Sequence, residues 1–286
     1  MGYDRRHRDS DQEEPLEYPR IVQVRDATHP SLATFLGRVL TRHKFRLGRS
    51  WIHADANLFH DLYPHVLRLT IRPRAWNGLV RRCAAWLPAP LQALVKRCWP
   101  GAFLPPRVVL KKLSRPTLCR TELFDNEIAM YKQLQAIQGR TIPRFYGEAS
   151  FREDDGQQKR AIVLSVVEGE VADRQTMPIS LDEFKRRLGA AHAEMLHQGV
   201  SYDDLQPNNL VVQNEGSSDQ RGGRLVFLDL EFAEPCPPEK VERRAKSLIS
   251  DYSSWYSSYL EFWETEDRSQ LHREGKFSPI RSATRD

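Results

Sequence analysis

The 286-residue sequence has few cysteines and no long hydrophobic run. Its four cysteines lie far apart and form neither a CxxC pair nor a zinc-binding cluster with histidine, which indicates a reducing environment. Residues 1–14 are charged and lack the apolar core of a secretory signal, and the uncharged apolar stretch at 83–95 is too short to cross a bilayer. We therefore expect an intracellular, cytoplasmic protein, with a nuclear location as the alternative, and neither a signal peptide nor a transmembrane segment.

Acidic residues are absent from a long internal segment. Residues 62–121 contain twelve lysines or arginines and neither Asp nor Glu, so at a net charge of +5 the remainder of the chain carries 5 less 12, or −7. The chain is otherwise ordinary, with 40% hydrophobic and 28% charged residues, which excludes whole-chain disorder, collagen and coiled coil. The segment is thus locally cationic within a globular protein.

Within this segment, residues 74–99 have apolar side chains at spacings of three and four, typical of two amphipathic helices with basic outer faces. Three interpretations stay open: a solvated basic face, helices packed on the neighbouring lobe, and contact with an anionic membrane surface through Trp76, Trp86 and Trp99 beside basic residues. We expect no specific nucleic-acid binding, because no known reader motif is present.

The chain divides into five predicted regions. Residues 1–19 form a disordered charged arm, 20–104 an N-terminal extension with basic amphipathic helices, and 273–286 a disordered tail. Residues 105–170 alternate strands with one helix, whereas 171–272 are mainly helical. The order of strands first and helices later predicts an α+β protein of two lobes with a cleft between them.

Two stretches carry residues suited to phosphoryl transfer. Asp204 is followed five residues later by Asn209, and Asp229 comes directly after an apolar strand. One aspartate can orient or deprotonate an acceptor hydroxyl, while an amide oxygen and a second carboxylate hold Mg²⁺ against the phosphates. A turn-capping role is the alternative for Asp204, and it remains the expectation for Asp203.

These stretches, Tyr202-Asp-Asp-Leu-Gln-Pro-Asn-Asn209 and Asp229-Leu-Glu231, resemble the catalytic loop and metal-binding segment of the protein kinase-like fold. Upstream, Val108-Val-Leu-Lys111 stands where that family has its phosphate-binding lysine. With Phe124-Asp-Asn-Glu127, the combination is most similar to small kinase-like proteins of fungi, classed as atypical kinases or phosphotransferases.

The resemblance implies a two-lobed protein kinase-like fold with a small β-rich N-terminal lobe and a shortened helical C-terminal lobe. It implies ATP and Mg²⁺ as cofactors and γ-phosphoryl transfer to a hydroxyl of a protein or small molecule. The implied roles are Asp204, Lys111 and Glu127 in catalysis, Lys111 and Glu168 in cofactor binding, and Asn209 and Asp229 as metal ligands. Lys112, the neighbour of Lys111, is then a solvated residue on the other side of its strand.

Departures from the family pattern support a second hypothesis. No GxGxxG precedes Lys111, Tyr202 and Asp203 replace the usual His and Arg, and Glu231 replaces the glycine of DFG. The alternative is therefore a pseudokinase, a scaffold that binds nucleotide or a partner without turnover, at a membrane surface in one variant of this hypothesis.

Overall fold

Six antiparallel strands between residues 41 and 165 close into a barrel. Their order around the barrel is β1-β2-β3-β4-β6-β5, and β5 returns to pair with β1, where Phe151 stands opposite Phe45. The strands are β1 Thr41–Leu47, β2 Ser50–Leu58, β3 Val66–Ile71, β4 Arg107–Lys112, β5 Phe145–Arg152 and β6 Gln158–Ser165.

The computed structural model describes residues 41–58, 64–74, 76–113, 116–152, 156–202, 204, 206–214 and 223–273. These residues belong to one compact unit. The expectations for the arm at 1–19, for the tail beyond Arg273 and for the turn role of Asp203 lie outside the described residues.

The closed barrel overturns the expected fold class. The protein is mixed α+β, but the prediction of a two-lobed protein kinase-like fold with a small β-rich N-terminal lobe and a shortened helical C-terminal lobe is wrong. The segment expected to be an N-terminal extension instead contributes β1, β2 and β3. These strands pair with β4 and β5 and so close the sheet on itself.

Alternation along the strands fills the barrel. Because successive side chains point to opposite faces, one residue in two faces inward. In β4 these are Val108 and Leu110, which are fully buried, while Val109 packs against a second apolar cluster outside the barrel. Lys111 follows the face of Val109, which directs it away from the barrel interior.

Five helices accompany the barrel in the described residues: α1 Asn77–Ala85, α2 Ala89–Cys98, α3 Leu118–Gln133, α4 Leu181–His197 and α5 Val241–Arg273. The side chains of Thr117 and Ser180 accept hydrogen bonds from the backbone nitrogens of Arg120 and Glu183, and they thereby cap the starts of α3 and α4. No described helix combines the length and the hydropathy needed to span a membrane.

The second apolar cluster joins α3, α4 and α5 to residues of several short strands. Tyr256 of α5 stacks on Phe184 of α4 with ring centroids 3.9 Å apart, so aromatic residues of α5 contribute to the packing of this cluster. The short strands in the described residues are β7 Glu170–Val171, β8 Val200–Tyr202, β9 Leu210–Gln213, β10 Arg224–Phe227 and β11 Ala233–Pro235, and the last four of these contribute buried residues to the cluster. β9 lies between β7 and β10, and β8 pairs with β11.

Candidate active site

Lys111 lies at the centre of the candidate site. It is the fifth residue of β4, on the outer face that turns toward α3, and its side chain is only 9% exposed. Its Nζ atom lies 2.8 Å from Glu127 Oε2, 2.9 Å from Asp229 Oδ2 and 3.0 Å from Glu231 Oε1. One buried ammonium group is therefore shared by three carboxyl groups from distant parts of the chain.

Glu127 comes from the buried face of α3. Residues spaced three and four apart along this helix face inward, and Glu127 occupies one such position between Phe124 and Tyr131. Its side chain is fully buried. An unpaired carboxylate at such a position would be strongly destabilising, and Lys111 provides the compensating charge.

Asp229 and Glu231 lie in the turn between β10 and β11. Glu231 N donates to Asp229 Oδ1 at 3.0 Å, and Asn126 Nδ2 donates to the backbone oxygens of Glu231 and Ala233, both at 2.9 Å. Tyr131 OH donates to Leu228 O at 3.1 Å. Two residues of α3 therefore hold the turn in place beside Glu127.

The electrostatics of this group follow from burial and crowding. Burial by itself would lower the pKa of Lys111, but Glu127, Asp229 and Glu231 hold it well above its usual value, so the ammonium stays charged. Burial also raises the pKa of Glu127, and Asp229 and Glu231 act in the same direction, against the effect of Lys111. One oxygen from each of the three acidic residues lies within 4.8 Å of the other two, so three carboxyl groups surround a single ammonium group.

A second polar pair lies beside this group. Asn209 Nδ2 donates to Asp204 Oδ2 at 2.6 Å. The amide oxygen of Asn209 takes no part in this hydrogen bond. Burial, opposed by the hydrogen bond from Asn209 and assisted by the charge of Asp229, raises the pKa of Asp204 to about 6. A carboxyl group with such a pKa can exchange a proton near neutral pH.

Backbone pairing connects the two groups. Leu228 N donates to Asn209 O at 2.8 Å, directly after the antiparallel pairing of β9 with β10 ends at Leu210 and Phe227. Asp229 therefore follows Leu228 into the space beside Asn209. Tyr252 of α5 also holds the backbone of Asp204, since its hydroxyl donates to Asp204 O at 2.5 Å.

Two residues singled out by sequence do not join the group. Glu168 is exposed and pairs with Arg107 at 2.9 Å. Arg107 lies four residues before Lys111, about 13 Å along an extended strand. Lys112 turns to the opposite side of β4, where its Nζ lies 5.3 Å from the centroid of the Phe151 ring.

Further residues lie at the site besides those that the kinase-like motifs assign. Glu231, which replaces the glycine of DFG, contacts Lys111 through its carboxyl group. His65 also lies nearby: burial lowers its pKa, and so does the charge of Lys111. Asn126 lies within Phe124–Glu127, a stretch that the sequence already marks as part of the site. Tyr252 carries no such mark, because it is one of several aromatic residues on α5 whose helical spacing indicates only packing.

No protein-family model matches the chain, and a search of the curated proteins likewise gives no match. The resemblance to the protein kinase-like fold thus has no support from relatives, and the barrel contradicts the fold it implied. What the site does is therefore inferred from its own side chains.

Proposed function

We propose that the protein is a Mg²⁺-dependent phosphotransferase, an enzyme that binds ATP and transfers its γ-phosphoryl group to a hydroxyl of a protein or small molecule. The observation that carries the proposal is the ion pair between Lys111 and Asp229 beside the Asp204–Asn209 hydrogen bond. These residues supply a fixed positive charge, oxygen ligands and a proton acceptor in one place, which is the minimum set for metal-assisted phosphoryl transfer.

The side chains fit a magnesium ion by their chemistry. Mg²⁺ prefers carboxylate and amide oxygens, and Asp229 and Asn209 offer one of each, while Glu231 adds a further carboxylate. The excess of carboxyl groups over ammonium groups would repel a polyphosphate by itself. Nucleotide binding by this site therefore requires a divalent cation, which when bound supplies neutralisation of the phosphate charge.

Each residue of the chain then has a distinct task. Lys111 neutralises phosphate oxygens of the nucleotide, and Glu127 holds its ammonium group in position. Asp204 orients the acceptor hydroxyl and takes up its proton, for which a pKa of about 6 is suitable. Asn209 fixes the Asp204 carboxyl group through its amide nitrogen.

The proposed location is intracellular and most simply cytoplasmic. All four cysteines are free thiols, and Cys83 and Cys119 are exposed, which suits a reducing compartment.

Nucleotide binding is the first test. We expect ATP to raise the melting temperature of the protein when Mg²⁺ is present and to have no effect in EDTA. Stabilisation by ATP that is equal with and without Mg²⁺ would contradict the charge argument, and no stabilisation at millimolar nucleotide would contradict the proposal.

Turnover is the second test. ATP consumption is measured for the wild type, for Asp204→Asn and for Asp251→Asn, whose carboxylate lies on the exposed surface of α5 and accepts from Ser247. We expect activity to fall by roughly 10²–10⁴-fold in Asp204→Asn, as is usual for loss of a general base, and to be unchanged in the control.

The alternative is a scaffold that binds nucleotide without turnover. It is favoured by one observation: Glu231 places a third carboxyl group on Lys111, where it competes with phosphate for the ammonium. If neither the wild type nor Asp204→Asn consumes ATP, while both still bind ATP in the presence of Mg²⁺, the scaffold hypothesis is supported and the enzyme hypothesis is contradicted.

A further inference from the structure

Residues 76–99 form a helical hairpin that buries almost none of its side chains. The hairpin consists of Trp76, α1, the turn at 86–88, α2 and Trp99, and Ala84 is its one buried residue. Large apolar side chains are exposed instead: Trp86 is 88% exposed, Leu79 64% and Leu94 55%. An amphipathic helix in a globular protein normally turns such residues inward, so this face has no partner within the described residues.

The hairpin is joined to the barrel mainly at its base. Immediately after Trp99, the short turn Pro100–Ala102 packs against β2. Gly101 lies so close to Ile52 that an added Cβ would come within 2.3 Å of the Cδ1 atom of Ile52. The base of the hairpin is therefore packed closely against the barrel, while the turn at 86–88 and the adjoining helix faces are exposed to solvent.

The charge on the hairpin has one sign. Arg81 and Arg82 on α1 and Lys96 and Arg97 on α2 are exposed, and the hairpin contains no acidic residue. The Nζ atom of Lys96 also lies 5.9 Å from the centroid of the Phe103 ring. Exposed tryptophan and leucine beside exposed positive charges are complementary to a bilayer, whose interior is apolar and whose headgroup boundary is anionic.

A cationic cavity lies where the two ends of the hairpin meet the barrel. It has a volume of about 280 Å³, and its lining includes three tryptophans and three arginines: Trp51, Trp76, Trp99, Arg49, Arg72 and Arg74. Arg72 is paired with Asp55 at 2.6 Å. With two further arginines in its lining, the cavity suits a phosphate group flanked by apolar atoms.

We propose that the helical hairpin docks on an anionic phospholipid bilayer. Trp86, Leu79 and Leu94 enter the boundary between headgroups and acyl chains, and the four basic residues contact lipid phosphates. The cavity at the base accommodates one phospholipid headgroup. Nucleic acid would satisfy the charge but not the exposed leucines, which is why a lipid surface is the occupant that the observations favour.

Vesicle sedimentation of the full chain tests this proposal. The probes are phosphatidylcholine vesicles with and without phosphatidylserine, and the variants are Trp86→Ser/Leu94→Ser and Arg81→Glu/Arg82→Glu. The matched controls lie on α5: Phe262→Ser, at a side chain 63% exposed, and Arg243→Glu/Lys246→Glu. Far-UV circular dichroism and melting temperature verify that each variant is folded.

We expect the wild type to sediment with vesicles that contain phosphatidylserine and not with phosphatidylcholine alone, and to be released by salt. Both hairpin variants should bind at least tenfold more weakly, while both controls bind as the wild type does. Equal binding to both kinds of vesicle, no binding, or hairpin variants that bind as the wild type would each overturn the proposal. So would preferential binding to RNA in a competition assay.

The inference is independent of phosphoryl transfer. Asp204→Asn should sediment with anionic vesicles as the wild type does, and the hairpin variants should keep Mg²⁺-dependent ATP stabilisation in the absence of lipid. A loss of vesicle binding in Asp204→Asn would contradict a docking surface confined to residues 76–99.

Discussion

Lys111 Nζ lies 2.8 Å from Oε2 of Glu127, a residue whose side chain has no exposed surface. The two residues are brought together by the packing of α3 against the outer face of β4. Burial makes each charge depend on the other, and Asp229 and Glu231 make the ammonium group more necessary still. Lys111 therefore has a structural role in addition to its proposed role in phosphate binding.

Replacing Lys111 by methionine should destabilise the protein by about 3–5 kcal/mol, because three carboxyl groups would then lie together without a buried cation. Urea unfolding measures the change. Lys112→Met is the matched control, since Lys112 faces the opposite side of β4 and should cost less than about 1 kcal/mol. The double variant Lys111→Met/Glu127→Gln should recover part of the lost stability but no activity; recovery of both would contradict a role of Lys111 in phosphate binding.

The raised pKa of Asp204 makes a prediction about stability and pH. Its folded-state pKa of about 6 lies above the ordinary value of 3.8, so the folded protein binds this proton more tightly than the unfolded chain. The resulting stabilisation is present below about pH 4 and is lost as the pH rises through 6. Asp204→Asn should therefore melt at a higher temperature than the wild type at pH 7.5 and at the same temperature near pH 3.5. A destabilised variant at pH 7.5 would contradict a raised pKa.

Activity should depend on the ionisation of the same carboxyl group, but it should increase over the pH range in which the stabilisation is lost. If Asp204 accepts the proton of the acceptor hydroxyl, kcat rises with pH through about 6 and reaches a plateau above it. The profile is measured at saturating ATP and Mg²⁺. If the inflection is lost from the residual activity of Asp204→Asn, it belongs to the Asp204 carboxyl group. If the inflection is unchanged, it belongs to another group.

Tyr252 should link the stability of α5 to the geometry of the site. Tyr252→Phe removes the hydroxyl that donates to Asp204 O and should cost about 1–2 kcal/mol, because a buried acceptor loses its partner. We expect a lower kcat with little change in KM for ATP. Tyr259→Phe is the control, since its hydroxyl bonds to Gln175, outside the site, and it should leave kcat unchanged.

Gly169 should be intolerant of a side chain. Its φ of 137° is unfavourable for other residues, and an added Cβ would lie 2.6 Å from Val212 O in β9. Gly169→Ala should destabilise the protein by about 1–3 kcal/mol, measured by urea unfolding. Gly78→Ala provides the contrast: apart from the backbone of α1 and the adjacent residues, no atom lies within 4 Å of the added Cβ, so better helix propensity should stabilise this variant by about 0.5–1 kcal/mol. Similar effects at both positions would contradict the close approach.

Local signals in the sequence were sufficient for parts of the fold and of the candidate site. Alternating residues place β4, and Ser180 is an N-cap residue that marks the start of α4. They were insufficient for closure of the barrel, because Phe45 and Phe151 pair across more than one hundred residues. Strand periodicity shows which face of a strand is buried but does not show which strand lies beside it.

The sequence by itself determined the chemistry available to this protein: a lysine in an apolar strand, an acidic residue on the inward face of a helix, and the Asp204, Asn209 and Asp229 set. Tertiary structure alone decided which groups meet. It brought Glu231 onto Lys111, tied Tyr252 to Asp204, sent Glu168 to Arg107 and left the apolar face of the helical hairpin exposed. The physical reason is that ion pairing and burial depend on distances between chain segments remote in sequence, whereas helix and strand patterns depend on neighbours.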